Sequence, residues 1–277
     1  GMRMRMIPVR GALSEKDVYA ENACTPMFKY LFRISSGVVF NGGPDIQPEL
    51  YGAETSLMTG ISDPVRHIFE MSFMFHLIGS TRNPAFVPLL DQRPAYMILG
   101  ICLGMQTMVT TAGGTLIQDI PTEIYKKKTA EQVLALASGK QHKNYYKVKY
   151  PLSQGVSFGT LHYLKTDAAC PLWSRCKWEK GVQVYSYHHQ AAGKLPPELI
   201  PVAWSEDKKV IEAIVHKKYP NVLGIQFHPE PDFLYRPLIR TFLADGDKMT
   251  IGRVIENDRV TLIFLKEFWK EMMVRMR

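Results

Sequence analysis

Cysteine is scarce in this chain of 277 residues: there are four, Cys24, Cys102, Cys170 and Cys176, and no CxxC pair among them. That spacing excludes the usual zinc framework, and so few thiols in a chain of this size point to a reducing compartment, the cytoplasm. No apolar run approaches the roughly 20 residues that a membrane-spanning helix needs, so no membrane partner is expected. The start, Gly1-Met2-Arg3-Met4-Arg5-Met6, is basic but has no long apolar core behind it, which excludes a secretory signal. Gly1 ahead of Met2 reads as an added residue. Internal repeats and low-complexity linkers are absent. Dense charge is nearly absent too. Lys and Arg number 34 against 26 Asp and Glu, a net charge of +8, but Lys126-Lys127-Lys128 is the one dense run. It has no interleaved aromatics of the kind that stack on bases. It reads as a solvated face, or at most as a mild attraction for anionic substrates, and no nucleic-acid partner is expected.

What is present is ordinary for a globular protein: 46% hydrophobic and 22% charged residues. The length suits a single α/β domain over residues 1–277. Strand and helix signals alternate along it. Met6–Val9 reads as a short strand and Pro26–Phe32 as a helix. Gly37–Phe40 is an apolar strand running into the tight turn Asn41-Gly42-Gly43-Pro44. Asp63–Leu77 has helical periodicity, with Asp63-Pro64 as cap and first turn. Tyr96–Ile101 is a buried strand, followed by a helix over Leu103–Thr111 that ends near Gly113-Gly114. Lys147–Tyr150, Gly181–Tyr187, Val210–Val215 and Val222–Phe227 read as strands, and Val260–Met276 as an amphipathic helix. The stretch from Ile117 to Lys180, rich in Lys and Tyr, resists assignment. This alternation predicts a sheet with a parallel core and helices on both faces.

In such sheets ligands sit at the carboxyl ends of the strands, and three strand ends here carry chemistry. In Met97-Ile98-Leu99-Gly100-Ile101-Cys102-Leu103-Gly104-Met105-Gln106, a buried strand breaks into a helix with a cysteine at the corner. Gly100-x-Cys102-x-Gly104 has the spacing of a nucleophile elbow, whose tight turn leaves no room for flanking side chains. The thiol sits at a helix N-terminus, which favours the thiolate. A buried structural cysteine is the bland alternative. Val222-Leu223-Gly224-Ile225-Gln226-Phe227-His228-Pro229-Glu230 is a second buried strand that delivers a histidine and then a carboxylate. A lone histidine there would be an ordinary polar cap, but Pro229 fixes the backbone and Glu230 can reach back to orient the ring. Thiol, imidazole and carboxylate are the parts of a cysteine nucleophile with an oriented base. Their order separates the chain from α/β-hydrolases, where the acid precedes the histidine. The third strand end, Asn41–Pro44, is either a plain turn or, with the Leu103 N–H, an oxyanion hole.

The segments Gly42-Gly43-Pro44-Asp45, Gly100–Gln106 and Gly224–Glu230 resemble the class I glutamine amidotransferase-like superfamily. Asp45-Ile46-Gln47-Pro48-Glu49-Leu50-Tyr51-Gly52, Asp63-Pro64-Val65-Arg66 and Tyr185-Ser186-Tyr187-His188-His189-Gln190 look like its γ-glutamyl-γ-aminobutyrate hydrolase branch, relatives of folate γ-glutamyl hydrolase. The resemblance covers roughly Val38 to Glu230. It implies a flavodoxin-like three-layer αβα fold with a mostly parallel central sheet. It implies Cys102 as nucleophile, His228 as base, Glu230 as its orienter, and Gly43 and Leu103 as oxyanion donors. Gln106, Ser186, Tyr187 and His188 would lie near the glutamyl end of a small-molecule γ-glutamyl substrate, the histidines there having either a structural or a substrate role. No metal and no organic cofactor is implied. The sequence departs from the pattern at Leu103, where the γ-glutamyl-amine branch more often has arginine. It departs also in its short N-terminus, where the family's first strand and helix are missing or reshaped, leaving a sheet edge open to a partner such as a second copy of the chain. Three readings follow: a self-contained γ-glutamyl amide hydrolase, a glutaminase subunit delivering ammonia to a partner synthetase, and a non-catalytic relative that kept the fold.

Overall fold

The computed structural model describes residues 5–166 and 181–276. Among the described residues nine strands fall in the order β1 (Gly37–Phe40), β2 (Met97–Ile101), β3 (Leu116–Ile117), β4 (Thr160–Thr166), β5 (Val182–Ser186), β6 (Ala191–Ala192), β7 (Leu199–Ser205), β8 (Ile211–His216) and β9 (Val222–Ile225). Eight α-helices accompany them in the described residues: α1 (Thr25–Ile34), α2 (Pro64–Ile78), α3 (Leu103–Ala112), α4 (Ile120–Glu123), α5 (Ala130–Leu134), α6 (Tyr145–Lys149), α7 (Ile251–Asn257) and α8 (Arg259–Arg275). Seven of the strands form one sheet in the order β1-β2-β9-β8-β7-β4-β5, and β3 pairs with β6 apart from it.

The flavodoxin-like three-layer arrangement is as expected. β2 is buried along its whole length, and its alternation divides the core. Ile98 faces one hydrophobic layer with Phe28 of α1, Met71 and Met74 of α2 and Met105 and Met108 of α3. Met97, Leu99 and Ile101 face the other, with Ile251 and Ile255 of α7 and Phe264, Phe268 and Met272 of α8. The sheet is mixed, and its parallel part is narrower than the sequence suggested. β1, β2 and β9 run parallel, while β8, β7, β4 and β5 continue as an antiparallel wing. The functional strand ends all belong to the parallel part.

Local chemistry explains the elements that position the site. Asp63 caps α2 by accepting from the Arg66 N–H at 3.2 Å, with Pro64 in the first turn. Gly113 ends α3 at φ 108°, in the left-handed region that favours glycine. A Cβ on Gly100 would meet the Gly104 carbonyl at 2.6 Å, and one on Gly104 would meet the Phe40 carbonyl oxygen at 2.1 Å. Bare backbone at both positions therefore lets α3 fold back onto β1 and β2.

Two expected strands are not strands. Met6–Val9 carries no regular structure, so nothing there pairs with β1. Lys147–Tyr150 lies in and just after α6, whose cap is the Asn144 side chain accepting from the Tyr146 N–H at 3.0 Å. Tyr146 and Tyr150, one helical turn apart, pack ring to ring at 4.8 Å. The Lys-Val-Lys-Tyr alternation imitated a strand. Conversely β7, which lies between β8 and β4, was not anticipated. Pro201 interrupts its run, and the register shifts beside it between Pro201 and Ala203, where a bulge absorbs the missing donor.

Candidate active site

Cys102 stands between β2 and α3 at φ 52° and ψ −103°, a region that non-glycine residues occupy at a cost. Two contacts hold it there. Its N–H donates to the Ile225 carbonyl on β9 at 2.8 Å, and its carbonyl accepts from the Gln106 N–H at 3.1 Å. The turn places Sγ at the N-terminus of α3, where the first N–H groups have no partner within the helix. Among the described cysteines the other is Cys24, buried at the start of α1, where burial pushes its thiol up. Cys170 and Cys176 lie outside the described residues.

β9 brings His228 to the same corner. Its backbone N–H donates to the Tyr185 carbonyl at 2.8 Å, and its ring Nδ1–H donates to Glu230 Oε1 at 2.6 Å. Glu230 therefore fixes the tautomer and leaves Nε2 for the sulfur. Cys102 Cβ and His228 Nε2 each lie 3.7 Å from the point where a Cβ of Gly42 would sit, and His228 Cε1 lies 2.8 Å from it. Only glycine at 42 allows the thiol, the imidazole and the loop to share this space. Nε2 makes no well-aligned hydrogen bond here, so proximity rather than alignment couples it to the sulfur, a common condition before substrate arrives. Burial by itself would lower the His228 pKa. The interactions with Cys102 and Glu230 overcome it and push the pKa up to about 10, the behaviour of an imidazolium held by negative neighbours.

The loop after β1 faces both groups. A Cβ on Gly43 would strike Leu103 Cδ2 at 2.6 Å and Arg66 Nη1 at 2.4 Å, so Gly43 lies directly beside the first residue of α3. Arg66 ends the Asp63–Arg66 segment, and the sequence assigns it no role. Its Nη2 donates to the Asn41 and Gly42 carbonyls at 3.1 Å each, while its Nε donates to Glu70 at 2.8 Å. By gathering those carbonyls the guanidinium sets the orientation of the loop. Gln226 is a second residue to which sequence reading gave no role. Its Nε2 donates to Cys102 Sγ at 3.6 Å, and its Oε1 accepts from Gln106 Nε2 at 3.3 Å. Gln106 also donates to the Gln190 carbonyl at 3.3 Å. It is buried and acts on the thiol through Gln226. Pro229 is held from outside the motif, for its carbonyl accepts from Tyr235, whose hydroxyl accepts from Trp269 of α8.

These groups border a cleft of about 610 Å³ lined by Asn41–Asp45, Gly60, Cys102, Gln106, Lys143, Tyr187–Gln190, His228 and Glu230. Tyr187 is half-exposed at its rim, with Lys143 Nζ 5.8 Å from the ring centroid. Ser186 is fully buried and its hydroxyl lies 2.7 Å from His162 Nε2, so its side chain turns inward, away from the cleft. His188 borders the cleft, but its ring is buried toward His142, His162 and Glu212, and burial pushes its pKa down to about 3. His189 behaves oppositely. Its Nδ1 lies 3.1 Å from Asp119 and its Nε2 3.0 Å from Asp45. Burial alone would lower its pKa, but the two carboxylates outweigh it and push the pKa up to about 9. The cleft therefore holds an imidazolium, an ammonium at Lys143 and the carboxylate of Asp45 within one wall.

The sequence profile of the Peptidase C26 family matches residues 23–230, and the chain belongs to that family. It is similar to a glutamine amidotransferase-like protein, YvdE, of Lactococcus lactis, 27% identical over 206 residues that cover 74% of this chain and 70% of that one. It is also similar to a glutamine amidotransferase-like protein, RP404, of Rickettsia prowazekii, 29% identical over 220 residues, 72% of each chain. A glutamine amido transferase structure from Methylobacillus flagellatus aligns with 88% of this chain and 77% of its own at 15% identity and a TM-score of 0.47. No described helix is long and apolar enough to cross a membrane.

Proposed function

We propose that the chain is a cysteine-dependent hydrolase of γ-glutamyl amides. The observation that carries the reading is the meeting at one strand-end corner of a strained Cys102, a His228 oriented by Glu230, and glycine at 42 making room for both. The Cys102 thiolate attacks the γ-carbonyl carbon of the substrate. The N–H groups of Gly43 and Leu103 receive the oxyanion. His228 then gives its Nε2 proton to the departing amine as the C–N bond breaks, leaving a γ-glutamyl thioester. A water loses its proton to His228 and attacks the thioester, releasing glutamate and restoring the thiolate. Glu230 keeps the ring in the productive tautomer throughout. Lys143 suits the α-carboxylate of the glutamyl group, and Asp45, held by His189, suits its α-ammonium.

A second reading, a glutaminase subunit serving a partner synthetase, is favoured by Leu103 in place of arginine and by the names of the similar proteins. One experiment separates them. Purified chain is given γ-glutamyl amines, γ-glutamyl peptides, glutamine and the matching α-glutamyl compounds, and glutamate release is measured. Cleavage of γ-linked and not α-linked compounds by the chain alone is expected, because a site matched to the α-groups leaves buried polar groups unpaired when they are displaced. Equal cleavage of both linkages overturns the proposal. Activity on glutamine that requires a second protein supports the subunit reading instead.

A further inference from the structure

We propose that His142, His162, His188 and Glu212 form a binding site for one divalent ion of the zinc class, buried behind the cleft and serving structure rather than chemistry. One ligand atom from each of the four residues lies within 4.8 Å of every other, and all four residues are buried. Glu212 Oε1 lies 3.0 Å from His142 Nδ1, 3.5 Å from His162 Nε2 and 3.8 Å from His188 Nε2. Yet both Glu212 oxygens, both His142 nitrogens and His188 Nε2 have no hydrogen-bond partner among the described residues. Buried polar atoms are normally paired, and this many orphans in one place ask for a ligand.

The orientation of the rings says what kind. A carbonyl can only accept, so the 2.8 Å contact of His188 Nδ1 with the Gln190 carbonyl places the ring proton on Nδ1. The 3.2 Å contact of His162 Nδ1 with the Tyr163 carbonyl does the same. Each Nε2 is then a bare lone pair turned toward a carboxyl oxygen. Acceptor faces acceptor, and a cation between them resolves the conflict. Backbone carbonyls that fix the far nitrogen are the usual support of metal-bound histidines. Ser186 Oγ, 2.7 Å from His162 Nε2, now donates into that lone pair and is the group an ion displaces. Three imidazoles and a carboxylate, with no thiolate, suit zinc. Zinc at its usual bond lengths holds tetrahedral ligand atoms about 3.4 Å apart, so the four close inward on binding.

All four positions of such a shell are protein ligands, which leaves no coordination site for a reacting water. The site instead fixes the wall of the cleft. His162 lies beyond the stretch where β4 pairs with β7, Leu164–Thr166, and reaches Glu212 on β8 across that gap. The Gln190 carbonyl that orients His188 also accepts from Gln106, which leads through Gln226 to the sulfur of Cys102.

The test uses the whole chain, purified without chelator from zinc-supplemented cells, with metals counted by mass spectrometry. About one ion per chain is expected. The ion should persist in Cys102→Ala and be lost in Glu212→Gln and His188→Gln. Because those variants can unfold, wild-type protein is also stripped with a chelator and titrated with Zn²⁺. Its Tm should rise by about 5–10 °C at a hundredfold excess over Kd, and Co²⁺ should give the intense visible bands of a tetrahedral site. The proposal is overturned if the wild-type chain carries no metal and its Tm ignores Zn²⁺, Mn²⁺, Fe²⁺ and Ni²⁺. It is overturned equally if the ion is lost with Cys102 and kept without Glu212.

Discussion

His188 and His189 are neighbours in the chain and opposite in state. His189 turns to Asp45 and Asp119 and is pushed up to about 9; His188 turns inward to Glu212 and is pushed down to about 3. Both rings have carboxylates nearby. His189 points an N–H at each of its partners. His188 has spent its N–H on a carbonyl and meets Glu212 with a lone pair. The contrast extends to the two histidine–carboxylate regions as wholes. In the cleft, His228 and Glu230 are aligned, an N–H on a carboxylate oxygen at 2.6 Å. Behind it, three rings surround Glu212 without alignment, the arrangement proposed above to hold an ion. Whether a carboxylate makes a histidine an acid or a ligand is decided by where the second ring nitrogen is tied.

The contrast breaks most severely at His228. His228→Ala should lower kcat by about 10³-fold or more while the protein still folds, since only the oxyanion donors and binding remain. Steady-state turnover on a cleaved γ-glutamyl compound checks this, and near-normal turnover would remove His228 from the mechanism. Gly42→Ala comes next. Its Cβ would lie 2.8 Å from His228 Cε1, so the ring must shift, and a displacement of that order costs about 10²-fold in kcat with little change in Tm. An unchanged kcat would mean that the ring position is not critical.

Smaller effects sharpen the comparison. Glu230→Gln should cost less than His228→Ala, because in the proposed mechanism Glu230 only orients the ring. His228 owes its pKa of about 10 partly to the Glu230 bond and charge. The alkaline limb of kcat/KM should therefore stand near that value in the parent and move to lower pH in the variant. A limb that stays put would separate Glu230 from the base. For His189 the folded pKa of about 9 lies above the ordinary 6.5. Its contribution to stability is complete below pH 6.5 and is lost as pH rises toward 9. His189→Gln should flatten denaturant-derived stability between those limits, and an undiminished slope would mean that its ion pairs contribute nothing.

How much of this could be read in the sequence follows from how local each signal is. Cys102 and His228 lie at strand ends marked by glycine and proline, so a short window contains the information. The parallel strands β1, β2 and β9 were legible as apolar runs. β7 was not, because Pro201 argues against a strand that only a bulge makes possible. α6 was misread because a four-residue alternation outweighed the Asn144 cap. Arg66 and Gln226 act on loops and a sulfur far from them in the chain, and nothing in their immediate neighbours signals it. Ser186 and His188 follow the strand alternation inward, and the groups that meet them, His162 for Ser186 and Glu212 for His188, come from other strands of the sheet.

The central claim, that Cys102 is the nucleophile at which γ-glutamyl groups are taken up, is tested most directly by covalent labelling. The whole chain is treated with a diazoketone analogue of glutamine and digested, and the modified peptide is located by mass spectrometry. The account predicts a single adduct on Cys102, formed at a rate that falls sharply in His228→Ala. Modification of Cys24, Cys170 or Cys176 with Cys102 untouched would contradict it.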